Sequence, residues 1–444
     1  MSVIIDHAKA LSASPLKISA PLGAAMAFMG MRGCLPMFHG SQGCTAFALV
    51  MMVRHFREAI PLQTTAMNEI STILGGMDQV EQGLLNIARR ARPEMIGVIS
   101  TALTETRGED MSGELKLIRA RNPELAEIAV VDVSAPDFTG SLETGWGKAV
   151  SAIIRQCARP PAAGEAPLNQ VTLLPGSHLT PGDVAALKDI IADFGLEAIV
   201  LPDLAQSLDG HVPDSYTPTT LGGTSVAQLR DLGRSRLTIA IGEHMRISAR
   251  TLEEVTGVPF VLLDRVTGLA AVDQLMKTLA AAAGVAVPPR QRRARSQLVD
   301  AMLDGHFYFA GRSLALAGEP ALVTAYGRLA CDLGARLAAV VTSEASPELD
   351  RLPCDRVVVG DFADLETELA GAGDCHLIIA NSNGRQLAAK TGLPHFRAGF
   401  PVFDRLGAAH VTTAGYAGTR DLVNQLGNIL MDGGSHGHPA TAAG

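Results

Sequence analysis

Ten short runs of apolar, β-branched residues punctuate this sequence, each separated from the next by a stretch of helical character. Glu94–Thr101 (EMIGVIST) and Glu127–Ser134 (EIAVVDVS) come first. Val171–Gly176, Leu196–Asp203, Leu237–Gly242 and Val258–Asp264 follow. The last four are Ser313–Gly318, Arg336–Thr342, Asp355–Asp361 and Cys375–Ser382. A run that is apolar at every position suits a strand covered on both faces, as in a parallel sheet flanked by helices. Aromatic residues are only 4% while glycines number 45, which favours helices packed closely on such sheets over an all-β sandwich.

Two stretches read as linkers, Ala158–Leu168 (ARPPAAGEAPL) and Gly284–Ser296 (GVAVPPRQRRARS). Both hold paired prolines, which disfavour helix and strand interiors. They divide the 444 residues into thirds, and a length near 150 per domain agrees with three domains. The expected architecture is three Rossmann-like, doubly wound α/β domains with mainly parallel sheets, at residues 1–165, 166–290 and 291–431. The segment 432–444 is small and polar and reads as a disordered tail, with His436 and His438 in it. One helix start is explicit. Thr180 can cap, Pro181 fits the first helical position, Asp183 suits the positive end of the helix dipole, and Gly195 stops the helix.

The composition excludes several classes. Net charge is −8 and no basic domain appears, so a nucleic-acid partner is not expected. The one basic run, Arg290, Arg292, Arg293 and Arg295, reads as a solvated linker leading into a helix. No apolar stretch approaches the roughly 20 residues that cross a bilayer. Six cysteines, with no C-x-x-C pair and no secretory signal, point to a reducing cytoplasm. A zinc finger and a self-contained ferredoxin-type cluster are excluded by the same spacing. No phosphate loop, dinucleotide fingerprint, zinc-protease or nucleophile-elbow motif occurs. That speaks against a nucleotide-binding protein and against a self-sufficient enzyme.

In doubly wound sheets, ligands bind beyond the carboxyl ends of the strands. The polar residues expected there are Thr101, Thr104 and Glu105; Ser177 and His178; Asp203; Glu243 and His244; Asp264; Glu319; and Asn381, Ser382 and Asn383. Helix capping and turn formation account for most residues of this kind. The most informative stretch is Pro36–Glu58. It opens with His39-Gly40-Ser41-Gln42-Gly43-Cys44 and runs through an apolar helix to Arg54, His55, Arg57 and Glu58. Gly40 and Gly43 permit a tight turn and close approach of a bulky ligand. Cys44 falls at the helix start, where dipole and free N–H groups favour a thiolate, a ligand for soft metals. A small structural cysteine is the alternative reading. An iron–sulfur cubane takes four thiolates, and only Cys34 is nearby in sequence. If Cys44 holds a cluster, another chain must supply the remaining ligands.

At this loop the sequence resembles the β-like family of nitrogenase component 1, and within it the NifN scaffold subunits. The resemblance runs from about Lys9 to Gly427. It is carried by KALSASPLKISAPLGAAMAFMG, HGSQGCTAFALVMMVRHFREAIPLQTTAMNE, ILGGMDQVEQGLLNI, STALTETRGED, LPGSHLTPGDVAALKDIIADFGLEAIVLPDLAQSLDGH and GRQLAAKTGLPHFRAGFPVFDR. HGSQGC and RHFRE belong to the wider β-subunit group, and Leu174–His211 is the more specific block. The catalytic β subunit supplies three cysteines to an eight-iron cluster. Here Cys44 matches one, while Ser19 and Leu103 stand at the other two positions. The resemblance therefore implies a [4Fe–4S] cluster held by Cys44 alone on this side, with three thiolates from the partner NifE.

The same resemblance implies a three-domain α/β fold and an α₂β₂ heterotetramer with NifE. It also implies an iron–molybdenum cofactor precursor bound mainly on the partner, delivered by NifB and matured with molybdenum, homocitrate and the ATP-dependent NifH. Cys34 matches no ligand position and reads as structural. The expected function is a cofactor-assembly scaffold subunit with no catalytic residues of its own. The competing reading is the β subunit of a nitrogenase-like oxidoreductase, either nitrogenase or light-independent protochlorophyllide reductase.

Overall fold

The runs that are apolar throughout become parallel strands with both faces covered, in a computed structural model that describes residues 3–6 and 14–435. Three sheets result. The first has the order β3 (Gln63–Thr64), β2 (Met37–His39), β4 (Met95–Ser100), β5 (Ala129–Val133). The second has the order β7 (Glu197–Val200), β6 (Gln170–Leu174), β8 (Thr238–Ile241), β9 (Phe260–Leu263). The third has the order β1 (Val3–Asp6), β12 (Arg356–Val359), β11 (Arg336–Thr342), β10 (Ser313–Gly318), β13 (Leu377–Ala380), β14 (His395–Arg397). Every strand pairing is parallel. All residues of β4, β6, β8, β10 and β13 are buried, as continuous apolar runs require.

Each of the ten expected runs contains a strand, and β10 and β11 coincide with theirs. Four further strands, β1, β2, β3 and β14, have two to four residues each, shorter than the expected apolar runs. β1 joins the third sheet, pairing with β12, so residues 3–6 do not belong to the first sheet. The stretch from Ala158 to Leu168 is irregular. The second expected linker is not: a helix runs from Pro289 to Phe309, with Pro289 at its first position. The basic run therefore lies on a helix, where Arg295 makes a two-pronged pair with Asp273 at 2.8 Å and Arg290 meets Asp193 at 3.2 Å. The last helix, Gly415–Ser435, continues into the expected tail; 436–444, with His436 and His438, lie outside the described residues. Among the described residues no helix is long and apolar enough to cross a membrane.

Close helix packing depends on two glycines. α1 (Ala20–Met29) is buried at all ten positions. It crosses the Leu142–Cys157 helix so tightly that a Cβ on Gly145 would lie 1.8 Å from the carbonyl oxygen of Ala20. A Cβ on Gly23 would lie 2.0 Å from that of Leu142. Neighbouring Trp146, the single tryptophan, is 1% exposed and donates its indole N–H to the Pro175 carbonyl at 3.0 Å. The expected helix start at Thr180 is present, with the reciprocal bonds of a capping box to Asp183. Asp183 also accepts the backbone N–H groups of Thr413 and Ala414, at 2.5 and 2.8 Å. One buried carboxylate thus fastens the second sheet's first helix to the loop before the last helix.

In each sheet the chain winds outward in both directions from one gap between strands, β1 at the far edge of the third sheet excepted. The gaps are β2/β4, β6/β8 and β10/β13. Crevices at the carboxyl ends of such strand pairs are where this architecture binds ligands.

Candidate metal centre

The Cys44 loop leaves the sheet at the first of these gaps. β2 ends at His39, whose side chain is fully buried. Its Nδ1 is 3.1 Å from Thr65 Oγ1 and its Nε2 is 2.9 Å from a Glu109 carboxylate oxygen. Burial holds the imidazole below the usual histidine range despite the Glu109 hydrogen bond, so the neutral ring donates Nε2–H and accepts from Thr65. Thr101, at the end of the neighbouring β4, donates its hydroxyl to the His39 carbonyl at 2.9 Å. A Cβ on Gly40 would sit 2.5 Å from that hydroxyl, so only glycine lets the two loops close on each other. Gly40 N–H in turn donates to Thr65 Oγ1 at 3.1 Å. The loop is therefore rigidly seated before the helix begins. Thr101→Val keeps the shape and removes the hydroxyl, and we expect it to cost about 1–2 kcal/mol in urea unfolding of the assembled protein.

α2 (Gln42–Phe56) starts directly after Ser41, and Cys44 is its third residue. The thiol is exposed, with Ser41 Oγ 3.5 Å from its sulfur. A Cβ on Gly43 would meet nothing closer than Ser41 Oγ at 3.9 Å, so the approach to Cys44 is open. One face of α2, Thr45, Ala48, Met52 and Phe56, is buried. The opposite face is also apolar: Phe47, Val50 and Val53 are 67%, 54% and 42% exposed. Ile70 and Ile73 on α3 (Glu69–Leu74) are 67% and 76% exposed. A helix that is apolar all round normally has both faces covered.

The remaining candidates separate into groups. Leu103 is half-buried on the turn Ala102–Glu105, which follows β4 and is tied to the Cys44 loop through Thr101 and Thr104. Ser19 is the N-cap residue of α1. Cys34 lies at the other end of the first sheet, bridged to Met95 at the start of β4, and burial pushes its thiol up. Cys34 is therefore at the opposite end of the sheet from Cys44. Arg54, His55, Arg57 and Glu58 are at the far end of α2, about 15 Å from Cys44 at the helical rise. They hold other loops. His55 Nδ1 accepts the Val402 N–H at 2.8 Å, and burial lowers this histidine to about 4. The Arg54 guanidinium lies 4.2 Å from the Phe403 ring centre, and Glu58 accepts the Gly210 N–H at 2.9 Å.

A second ligand-rich cluster lies elsewhere. His178, His244 and Glu319 sit at carboxyl strand ends as the alternation of runs suggests, but they are joined by Glu143 and Glu344. Glu143 opens the Leu142–Cys157 helix and reads in sequence as an ordinary acidic first turn. Nothing local signals its burial.

The family model of nitrogenase component 1 type oxidoreductases matches residues 19–431. The nitrogenase iron-molybdenum cofactor biosynthesis protein NifN of Mesorhizobium japonicum is 48% identical over 433 residues, covering 96% of this chain and 93% of that protein. The NifN of Bradyrhizobium diazoefficiens is 46% identical over 432 residues, covering 97% and 92%. A chain of nitrogenase Cp1 at pH 6.5 superposes with a TM-score of 0.92 at 30% identity, covering 99% of this chain and 97% of that one. The three parallel sheets are thus the fold of nitrogenase component 1. The chain belongs to the nitrogenase component 1 type oxidoreductase family, and within it to the NifN proteins.

Proposed function

We propose that this chain is the β-like half of a NifEN-type scaffold, on which the precursor of the nitrogenase iron–molybdenum cofactor is matured before transfer. The observation that carries the reading is identity of 46–48% along nearly the whole chain with proteins named for that cofactor's biosynthesis. In this reading Cys44 gives one thiolate to a [4Fe–4S] cluster bridging to a NifE-like partner, which supplies the other three. The geometry fits that role: an exposed thiol at a helix start, glycines that leave its approach open, and no second cysteine beside it. The residues at the two other family ligand positions, Ser19 and Leu103, favour this over a larger cluster. The apolar outer face of α2 supports a covered interface next to Cys44. We propose an α₂β₂ assembly in the cytoplasm, with NifB supplying the precursor and NifH docking transiently. Units at 1–165, 166–290 and 291–431 belong to the same proposal, with Val3–Asp6 of the first segment joined to the third unit's sheet.

The test is maturation in a defined system. The chain is coexpressed with its partner, loaded with iron–sulfur precursor, and given molybdate, homocitrate, ATP and NifH. Activation of cofactor-free nitrogenase is expected, and no activation when this chain is omitted. Failure to activate, together with NifH-dependent reduction of acetylene or protochlorophyllide at rates typical of a reductase, would favour the oxidoreductase reading instead.

A further inference from the structure

β5 (Ala129–Val133) is an edge of the first sheet, paired on one side only, by β4. Ala129 N–H donates to the Glu94 carbonyl at 3.0 Å, so in this parallel strand the N–H and C=O groups of Val130 and Asp132 turn to the open side. The Gln156 side chain donates to the Asp132 carbonyl at 3.1 Å. Exposed edges are commonly blunted by a lysine, a proline or a bulge within the strand. β5 reads AVVDV and pairs with β4 in unbroken register, so it carries none of these. Two helices flank it on opposite faces of the sheet. The Met111–Arg121 helix shares an apolar cluster with Val130, and the Leu142–Cys157 helix shares another with Val131 and Val133. Strand and helices wall a groove of about 800 Å³.

The groove is basic, in a chain whose net charge is −8. Lys116 and Arg119 line it from one helix, Lys148 and Arg155 from the other, Arg159 from the stretch beyond, and Arg230 from the Val226–Arg230 helix. All are exposed except Lys148, which is half-buried. Among the described residues none of these cations has a carboxylate at ion-pairing distance. Around the same sheet, other exposed guanidiniums do find one: Arg121 reaches Glu81 at 3.0 Å and Arg89 reaches Glu124 at 2.8 Å. Three of the groove's cations converge. Burial pushes the Cys157 thiol up, while Arg159, Arg230 and Arg119 pull against that rise. The acids in the lining are Glu127 and Asp132, and the Asp132 carboxylate accepts the Ser112 hydroxyl at 2.5 Å. Ile247, 56% exposed, adds an apolar step. The excess of unpaired cations leaves a positive field along the open strand edge, which an anionic partner would offset.

We propose that this groove receives an extended acidic segment of a partner protein, which adds to β5 as a further strand. In strand addition the main chain supplies hydrogen bonds and the flanking side chains supply selectivity. Side chains of an added strand alternate between the two faces of the sheet. One set would meet Lys116 and Arg119, the other Lys148 and Arg155, so the segment carries acidic residues on both faces. A nucleic acid or a free polyphosphate would meet the charges but leave the strand edge unused. An acidic peptide uses both. The inference goes beyond the assembly reading and does not depend on it.

The probe is a fluorescein-labelled peptide of glutamate and valine, long enough to pair with all of Ala129–Val133 and acidic on both faces. Its fluorescence anisotropy is followed as the complex of this chain with its partner is added. Saturable binding in the micromolar range is expected, weakening as salt is raised. Arg119→Glu combined with Arg155→Glu should weaken it tenfold or more. Both side chains are exposed, so the variant complex should assemble as the wild type does. The same peptide with its central backbone nitrogens methylated keeps its charge but cannot donate to a strand edge, and it should also bind at least tenfold more weakly. No binding to the wild type would overturn the proposal, as would equal binding by the doubly substituted complex. Equal binding of the methylated peptide would overturn it too, reducing the groove to a charge trap. So would tighter binding of a single-stranded oligonucleotide or of inorganic triphosphate than of the peptide, lost in the same variant.

Discussion

Cys44→Ala, coexpressed with the partner and purified anaerobically, should lose the cluster shared between the chains. The expected readout is a drop of about four irons per pair of chains, with loss of the reduced cluster's paramagnetic signal. The effect is large because the thiol has no substitute in its surroundings. Cys34 and Cys157 are buried together at the opposite end of the first sheet. Cys331 is on a helix that follows β10, and Cys354 and Cys375 are in the loops just before β12 and β13, all around the third sheet. Ser41 Oγ is 3.5 Å from the sulfur, and a hydroxyl is a poor ligand for iron. Folding should be little changed, since the Cys44 side chain is exposed and alanine is a better helix former. Unchanged iron and an unchanged signal in the variant would rule out Cys44 as a ligand. Isolated from its partner, the chain should bind little iron, and four tightly bound irons in it would contradict the bridging arrangement.

Gly145→Ala should be among the most damaging single substitutions in the chain. The added methyl would lie 1.8 Å from the Ala20 carbonyl oxygen. No side chain can move aside, because the obstacle is the backbone of a helix buried at every position. The two helices must separate, opening the core that holds Trp146 and Phe28. Overpacking usually costs about 1–3 kcal/mol, and a backbone collision belongs at or beyond the top of that range. Against a typical stability of roughly 5–15 kcal/mol, we expect low soluble yield and a clearly lower melting temperature. Gly371→Ala is the control. A Cβ there meets nothing within 4 Å, and the change should be neutral or slightly stabilising. Equal melting temperatures for the two variants would show that the α1 crossing tolerates separation.

What could be read in advance follows from how local each cause is. β10 and β11 coincide with their apolar runs because a strand covered on both faces writes its burial into every residue. β2 and β3, which flank the Cys44 loop, span three and two residues, and Gln63–Thr64 carries no apolar signal at all. Their pairing is imposed by the neighbouring strand rather than by composition. The Cys44 helix start was legible because a turn and a helix boundary are written within six residues, His39 to Cys44. The cluster Arg54–Glu58 showed its chemistry but not its place. Its partners Val402 and Phe403 arrive about 350 residues later, and that distance in sequence hides the contact. Glu143 was hidden for the same reason, since it becomes unusual only when Glu319, Glu344 and His244 close around it.

The pairing of β1 with β12 has a consequence for the order in which the molecule can be made. Val3 emerges from the ribosome some 350 residues before Arg356, the residue beside which it finally lies. The first and second sheets contain all their strands well before that point and can form while synthesis continues. The third sheet cannot gain β1 at its edge until residue 359 is available. In the interval Val3–Asp6 is an unpaired strand next to a growing chain, a state open to wrong partners. The entropic charge for closing so long a loop rises only with the logarithm of its length, so the penalty is paid mainly in time. Val3–Asp6 is thus a latch cut first and left open until β12 exists to receive it.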